Sequence, residues 1–332
     1  MNIIPLSQVT VAYEISIGID SGCFGLFLAQ NYPDFEVVIV YVGHDSDFYE
    51  ELVRLKQSFP QIVTTKIHLD PRFPISRKMA LNVGIKSAHH ECMVFTSTDA
   101  VPQTDRWLAL MAKGFTRGEI VVGYCGVERG KGFANYMMRA WRMMHGVDWI
   151  ARAVRRNPYR GTLHNIGFTK NIYFGSKGFS HLNMNIGEDD LYMQKVMTHD
   201  NVSVILSPRA TLREKTWGGM RWWMGQLRYY GSAFPFYPQQ VKNYIQWELG
   251  SRALFFITAA CALAVMPFEY KIAALVLVLV RYLLVAIQVR RIARRLGEAS
   301  MAGCYFVYDL LSPLWAFLLG VMLLRRDDRV WR

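Results

Sequence analysis

Apolar and polar positions along the first two thirds of the chain fall into blocks that switch between strand and helix periods. Val9–Tyr13 is a short strand candidate. Ile15–Gln30 is read as a helix weakened by Gly18, Gly22 and Gly25, and Asn31-Tyr32-Pro33-Asp34 as a turn. Phe35–Val42 is a continuous β-branched run, the pattern of a strand buried on both faces. Asp47–Ser58 has helical spacing, with Leu52, Leu55 and Phe59 on one side. Ile62–Leu69 is a further strand, Ser76–Ser87 a helix and Cys92–Thr96 a strand. Trp107–Phe115 and Ile120–Tyr124 follow as helix and strand. Gly130–Trp149 is a Met-rich, aromatic helix, read as core packing or as a wall against a membrane or a bound ligand. This alternation predicts a parallel or mostly parallel sheet with helices on both faces. Ligands of such sheets bind outside the carboxyl ends of the strands, and Asp99 stands just past one of them.

After Trp247 the pattern changes. Ala253–Met266 is apolar and ends at Pro267, and Ile272–Val289 is longer, with one charge, Arg281. Each approaches the roughly 20 residues that cross a bilayer. Phe268-Glu269-Tyr270-Lys271 is read as a tight connection, giving a helical hairpin over about 252–289. The basic loop Arg290–Arg295 is predicted to be cytoplasmic. The last apolar stretch, Cys304–Leu324, contains Asp309 and Pro313. As a third transmembrane span it would put Arg325, Arg326 and Arg329 outside, so a re-entrant or interfacial segment is preferred. Arg281 is expected to snorkel, or to pair with a carboxylate or a lipid phosphate. The expected organisation is a domain over residues 1–250 and a membrane region over 251–332.

Composition sharpens this picture. The chain has 332 residues, 52% of them hydrophobic and 19% charged, and the apolar excess sits in the last third. The formal charge of +12 is concentrated in arginine patches: Arg152, Arg155, Arg156 and Arg160, the group from Arg290 to Arg295, and the group from Arg325 to Arg332. Beside apolar helices such patches point to anionic membrane lipids. No nucleic-acid motif accompanies them, so no nucleic-acid partner is expected. The cysteines Cys23, Cys92, Cys125, Cys261 and Cys304 are dispersed, without metal-ligand spacing, which argues for reduced thiols. Met1–Val11 lacks the features of a signal peptide. The expected location is the cytoplasmic (inner) membrane, with the first domain facing the cytoplasm. His89-His90 is read as a solvated helix end, and His181 and His199 as loop residues.

The chemistry-bearing residues come last in this reading. Gly187-Glu188-Asp189-Asp190-Leu191 carries three adjacent carboxylates. Unpaired charges are too costly to share an apolar core. They therefore line a polar cleft, where one serves as a general base, or form a solvated acidic turn. The Trp- and Arg-rich run from Trp217 to Tyr230 either closes that cleft over an anionic group or is an unrelated interfacial helix. Further pieces fall in order: Gln30-Asn31-Tyr32-Pro33 before a strand, Lys78-Met79-Ala80-Leu81 with Gly84 and Lys86, and Phe95-Thr96-Ser97-Thr98-Asp99-Ala100. Asn165-Ile166-Gly167-Phe168-Thr169-Lys170, Lys215-Thr216-Trp217 and Gln226-Leu227-Arg228-Tyr229-Tyr230 complete the set. In this register the chain resembles the membrane-associated family 2 glycosyltransferases, with their DxD, acidic and QxxRW-type motifs, from about Val9 to Trp247.

The resemblance implies an α/β, GT-A-like (Rossmann-related) mixed sheet flanked by helices, plus C-terminal transmembrane or interfacial helices. It implies inverting transfer of a sugar from a nucleotide-sugar donor to a lipid-linked or polysaccharide acceptor. Asp99 becomes the ligand of Mg²⁺ or Mn²⁺, which neutralises the diphosphate. Asp189 becomes the base, and Glu188 and Asp190 orient it or tune it as like-charged neighbours. Gln226 and Arg228 hold the acceptor chain or diphosphate, and Trp217 or Trp222 stacks on a sugar face. Glu14, Lys78, Ser97, Asn165 and Tyr229 fall at the remaining donor- or acceptor-binding positions. Lys78 also reads as a helix-surface lysine and Asn165 as a turn residue.

The chain departs from the family pattern on the nucleotide side. Ser97 stands where the first DxD aspartate is expected, and Val42 where an aspartate grips the base, with Asp45 and Asp47 nearby in shifted register. Ala12-Tyr13-Glu14 keeps only the glutamate of the first-strand motif, and Tyr229 or Tyr230 replaces the QxxRW tryptophan. Each lost charge-assisted hydrogen bond costs roughly 1.5–3 kcal/mol, about 10- to 150-fold in affinity. Two readings follow: an active transferase, or a non-catalytic membrane scaffold serving partner proteins of a polysaccharide or glycolipid assembly system. A transporter is disfavoured, because two or three apolar segments are too few to line a pore.

Overall fold

The computed structural model describes residues 9–15, 21–42, 46–68, 76–97, 99–181, 188–216 and 219–324. Asp45, Leu69, Gly187, Trp217 and the arginines after Leu324 lie outside them. Contacts divide the chain into two compact units, Met1–Glu128 with Asp148–Trp217 and Trp331–Arg332, and Arg129–Val147 with Gly218–Val330.

In the first unit the described strands are β1 (Val9–Ile15), β2 (Phe35–Val42), β3 (Ile62–Ile67), β4 (Cys92–Thr96), β5 (Ala100–Pro102), β6 (Ile120–Val122), β7 (Cys125–Val127), β8 (Asn165–Thr169), β9 (Val202–Val204) and β10 (Leu212–Glu214). Seven form one sheet in the order β3-β2-β1-β4-β8-β6-β9, and β5-β10-β7 form a second. β3, β2, β1 and β4 are mutually parallel. β8 runs antiparallel to both β4 and β6, so the sheet is mixed. β2 and β4 are covered on both faces, as their unbroken apolar runs require.

The helices of this unit are α1 (Ser21–Leu28), α2 (Ser46–Ser58), α3 (Arg77–Ser87), α4 (Trp107–Gly114), the end of α5 (Phe133–Val154), α6 (Lys170–Gly175) and α7 (Glu188–Val196). Ser76 caps α3 by accepting from the Met79 amide. Phe27, Trp107, Met111 and Phe115 pack with Val37, Ile39 and Val94 into a fully apolar core. Burial of this kind contributes about 25 cal/mol per Å².

Several boundaries differ from the periodicity. Ile15 belongs to β1, and the described part of α1 starts only at Ser21. The strand expected over Ile120–Tyr124 stops at Val122, because Gly123 is pressed against the Asn165 side chain; a Cβ there would lie 2.6 Å from Asn165 Nδ2. The Met-rich helix starts at Phe133 and runs to Val154. Arg156 ends it with φ 59, and the Arg156 and Asn157 amides donate back to the carbonyls of Ala153 and Arg152.

The second unit holds the start of α5, α8 (Gly219–Ala233), α9 (Gln239–Val265), α10 (Phe268–Arg295) and α11 (Tyr305–Leu324). α9 and α10 are long and apolar enough to cross a membrane. Both exceed the expected apolar runs, and α9 passes residue 250 without a break. The expected four-residue connection is instead the first turn of α10, since only Met266 and Pro267 separate the helices. Pro267 has no amide to continue α9, and its carbonyl takes the Tyr270 and Lys271 amides to start α10.

One charged cluster binds these helices together. Arg252 and Arg281 each stand fourteen residues from the Met266–Pro267 joint, about 21 Å along a helix, so they meet at one level. Asp309 of α11, 0% exposed, receives both. Arg281 Nη1 and Nη2 donate to its two oxygens at 2.5 and 3.1 Å, and Arg252 Nε lies 3.3 Å away. Arg252 also donates to Ser312 Oγ at 2.7 Å and pairs with Glu248. The Arg281 guanidinium lies 4.4 Å from the Phe255 ring centroid. Of the expected fates of Arg281, pairing with a carboxylate is the one found.

Removing one partner of a buried ion pair leaves an uncompensated charge. Asp309→Leu is expected to destabilise the detergent-solubilised protein by about 3–5 kcal/mol, and adding Arg281→Leu to recover part of that loss. Denaturation midpoints check this; an Asp309→Leu midpoint equal to wild type removes the cluster from the stability account.

Candidate functional site

The strand order reverses between β1 and β4, so the crevice of the sheet opens at their carboxyl ends. β4 ends at Thr96 and leads into a turn closed by the Ala100 amide donating to the Ser97 carbonyl at 3.1 Å. Asp99 is part-exposed on this turn, and its carbonyl accepts from the Lys215 amide at 2.9 Å. Ser97 Oγ is buried and has no hydrogen-bond partner among the described residues. β10 pairs with the far side of the turn, Glu214 opposite Ala100. β8 pairs with the near side, Asn165 opposite Thr96, and His164 directly precedes it.

The segment from Arg160 to Asn165 then gathers the remaining groups. Arg160 Nε lies 3.2 Å from Asp190 Oδ2, and both side chains are 4% exposed. The Leu163 amide donates to Asp189 Oδ2 at 3.2 Å, and the Asp190 amide to Asp189 Oδ1 at 2.9 Å. His164 Nε2 lies 3.6 Å from Glu214 Oε1. The acidic run at the start of α7 is thus tied to Leu163, two residues before the Asn165 that pairs with Thr96 at the end of β4.

α7 is held there by aromatic packing. Phe95 stacks on Phe168 at 4.4 Å, and Phe168, Tyr173, Phe179 and Tyr192 continue the cluster with centroids 4.9–5.9 Å apart. Burial pushes the Tyr173 and Tyr192 phenols up to about 12, so both stay neutral. Tyr192 Oη lies 2.9 Å from Ser176 Oγ, which fixes α7 to the end of α6. Burial, then the charge of Glu91, pushes the Cys92 thiol up to about 12, so it is no nucleophile.

The expected site residues fare differently. Ser97 and Asp99 lie on the turn after β4, and Asp189 and Asp190 in the first turn of α7. Asp189 is 0% exposed. Glu188 is the first residue of α7, and Lys78 is part-exposed in the first turn of α3. Glu14 lies in β1 in register with Val40. Asn165 does not face the crevice: 2% exposed, it accepts from Trp107 Nε1 at 3.1 Å and donates to the carbonyls of Tyr124 and Ala210 at 2.9 and 3.0 Å. Gln226, Arg228 and Tyr229 are on α8 of the second unit, where Gln226 accepts from Arg142 at 3.4 Å. Trp217 lies outside the described residues.

Sequence reasoning missed the buried partners. Gln30 is 6% exposed, donates to the Leu26 and Thr104 carbonyls and accepts from the Leu108 amide, so its motif serves packing. Glu36, also buried, takes the His89 and His90 amides and lies 2.7 Å from His89 Nδ1. His164 and Glu214 had one available signal each: they directly precede the quoted segments at Asn165 and Lys215. Among the described residues no three His, Cys, Asp or Glu side chains are grouped to hold a metal. A cation at Asp99 would have to take most of its oxygens from a ligand and water, as Mg²⁺ commonly does.

No protein-family model and no curated protein sequence matches the chain. Among solved structures, it is similar to the mannosyltransferase PcManGT from Pyrobaculum calidifontis in complex with GDP-Man and Mn²⁺. The identity is 16%, the TM-score 0.53, and the match covers 92% of this chain and 87% of that one. S. aureus TarS 1–349 matches at 14% identity over 94% of this chain and 92% of that one, with a TM-score of 0.48, too low to carry weight. The fold is GT-A-like.

Asn165→Ala would strand the Trp107 N–H and two buried carbonyls. The expected loss is about 2–4 kcal/mol of stability, read by chemical denaturation. Unchanged stability would return Asn165 to the ligand-facing residues.

Proposed function

We propose that the chain is an inverting, metal-dependent glycosyltransferase that moves a sugar from a nucleotide-sugar donor to a lipid-linked or polysaccharide acceptor at the cytoplasmic membrane face. The observation that supports this reading is that the Asp99 turn follows β4, while Asp189 is held by Leu163 just before the strand that pairs with the end of β4. The turn's location at the switch point is where α/β sheets bind nucleotides.

In this reading the donor diphosphate lies over the turn Ser97–Ala100. Asp99 holds Mg²⁺ or Mn²⁺, which when bound neutralises charge on the leaving diphosphate. The acceptor oxygen attacks the anomeric carbon opposite the diphosphate, the bond to the diphosphate breaks, and the acceptor proton passes to Asp189. Because Asp189 is fully buried, acceptor binding has to uncover one of its oxygens. Arg160 holds Asp190 aside. Glu14 and Lys78 are assigned to donor binding, and Gln226, Arg228, Tyr229 and Trp217 to the acceptor side.

The membrane region is assigned to 251–332. Exposed Trp247 on α9 and Arg290 on α10 mark the cytoplasmic boundary, and Tyr270 and Lys271 the opposite one. The nineteen residues from Trp247 to Val265 span about 28 Å of helix, close to the roughly 30 Å hydrocarbon core. The uncharged Ser97, its hydroxyl without a hydrogen-bond partner among the described residues, favours a second reading: a scaffold or partner subunit that keeps the fold without donor turnover.

Calorimetric titration of detergent-purified protein with a panel of nucleotide sugars, with and without Mn²⁺, decides between them. Saturable, Mn²⁺-dependent binding that Asp99→Ala abolishes supports the transferase; folded protein that binds none of the panel selects the scaffold. With a donor in hand, Asp189→Asn is expected to lower turnover by about 10²- to 10⁴-fold while donor affinity stays within about twofold. Near-normal turnover by Asp189→Asn and loss in Glu188→Gln would move the base to Glu188.

A further inference from the structure

The turn that carries Asp99 is gripped from both sides by a pair that no motif announced. Glu214 lies in β10 opposite Ala100, and the amide of the next residue, Lys215, holds the Asp99 carbonyl at 2.9 Å. His164 directly precedes β8, one step beyond the Asn165–Thr96 pair. The two side chains, 8% and 7% exposed, bring Nε2 and Oε1 to 3.6 Å. A buried carboxylate is costly, and an apolar residue of similar volume commonly packs at least as well. A carboxyl side chain buried at this point therefore calls for a reason beyond packing. Ser97 supplies that reason. Where the turn carries a neutral hydroxyl without a hydrogen-bond partner among the described residues, its first position adds no charge to help place Asp99.

We propose that His164 and Glu214 are positioning residues for the donor site. They clamp the turn between β8 and β10, so that Asp99 presents its carboxylate to the cation of a metal–nucleoside diphosphate. The pair makes up in rigidity for the charge that Ser97 lacks. This inference rests on the donor-binding reading given above.

The test uses full-length protein in detergent, titrated calorimetrically with UDP and GDP, each with and without Mn²⁺. Glu214→Gln keeps the shape and removes the charge; His164→Gln keeps Glu214 and guards against a Glu214 variant that does not fold. The expected result is wild-type binding that Mn²⁺ strengthens, and a tenfold or larger loss of the Mn²⁺-dependent affinity in each folded variant. Metal-free nucleotide affinity should stay within about twofold. A purely structural pair would lower both affinities in proportion, and that result overturns the proposal. Mn²⁺-dependent affinity equal to wild type in the variants also overturns it, while leaving the donor-binding reading intact. Wild-type protein that binds neither nucleotide with Mn²⁺ removes that reading and the proposal together.

Discussion

The first unit closes around the side chain of Asn165. Its amide joins four separate pieces of chain: β8, to which it belongs, α4 through Trp107, the passage between β6 and β7 through the Tyr124 carbonyl, and the approach to β10 through the Ala210 carbonyl. The small β5-β10-β7 sheet has only three-residue strands and could not hold its own place by ladder hydrogen bonds alone. Asn165 ties its surroundings to the large sheet from inside, where a satisfied buried amide is stiffer than the same contact at a surface. The position of β10, and with it Glu214 and the clamp on the Asp99 turn, follows from that joint. Gly123 is the complementary requirement, because any Cβ there would displace the amide.

Buried charges among the described residues of both units are met by partners within the fold. In the first unit Arg160 faces Asp190, and the Asp189 oxygens take backbone amides. In the second, Arg139 reaches Glu298 at 2.7 Å, and Asp309 serves two arginines. These pairs contribute little net stability against apolar replacements, since desolvation offsets most of the attraction. What they contribute is geometry: each fixes the angle and level at which two elements meet. α11 is the clearest example. Its interior Pro313 weakens it as a free-standing helix, and the contact with Arg252 and Arg281 sets where it lies on the hairpin.

The long regular elements were legible from the sequence because they are simple. β2 and β4 match their apolar runs residue for residue, and α3 starts after its serine cap. The small sheet was not legible, since a three-residue strand is too short to display a two-residue period. The helix–helix joint was misread because Glu269 and Lys271 look like loop residues, whereas proline at a helix start tolerates them in the first turn. Of the candidate site, the carboxylates were found and their partners were not. Asp99 and the acidic run stand out as charges in sequence. Arg160, His164 and Glu214 acquire meaning only from the antiparallel pairing of β8 with β4, which no local pattern encodes.

That asymmetry bears on how the uncharged Ser97 is understood. Judged by motif alone, its loss weakens the donor half of the site. Judged by the fold, the same turn is held by two backbone hydrogen bonds and adjoins the strand that carries Glu214, itself 3.6 Å from His164. A cation needs a carboxylate in a fixed place and several further oxygens, most of which a diphosphate and water supply. On the proposed reading one well-held aspartate would meet the protein's share of that requirement, where a mobile one would lose binding energy to ordering the loop. The departures from the family pattern therefore do not by themselves decide against donor binding. What they change is the source of the site's precision, from a second carboxylate on the strand to the contacts that hold the turn.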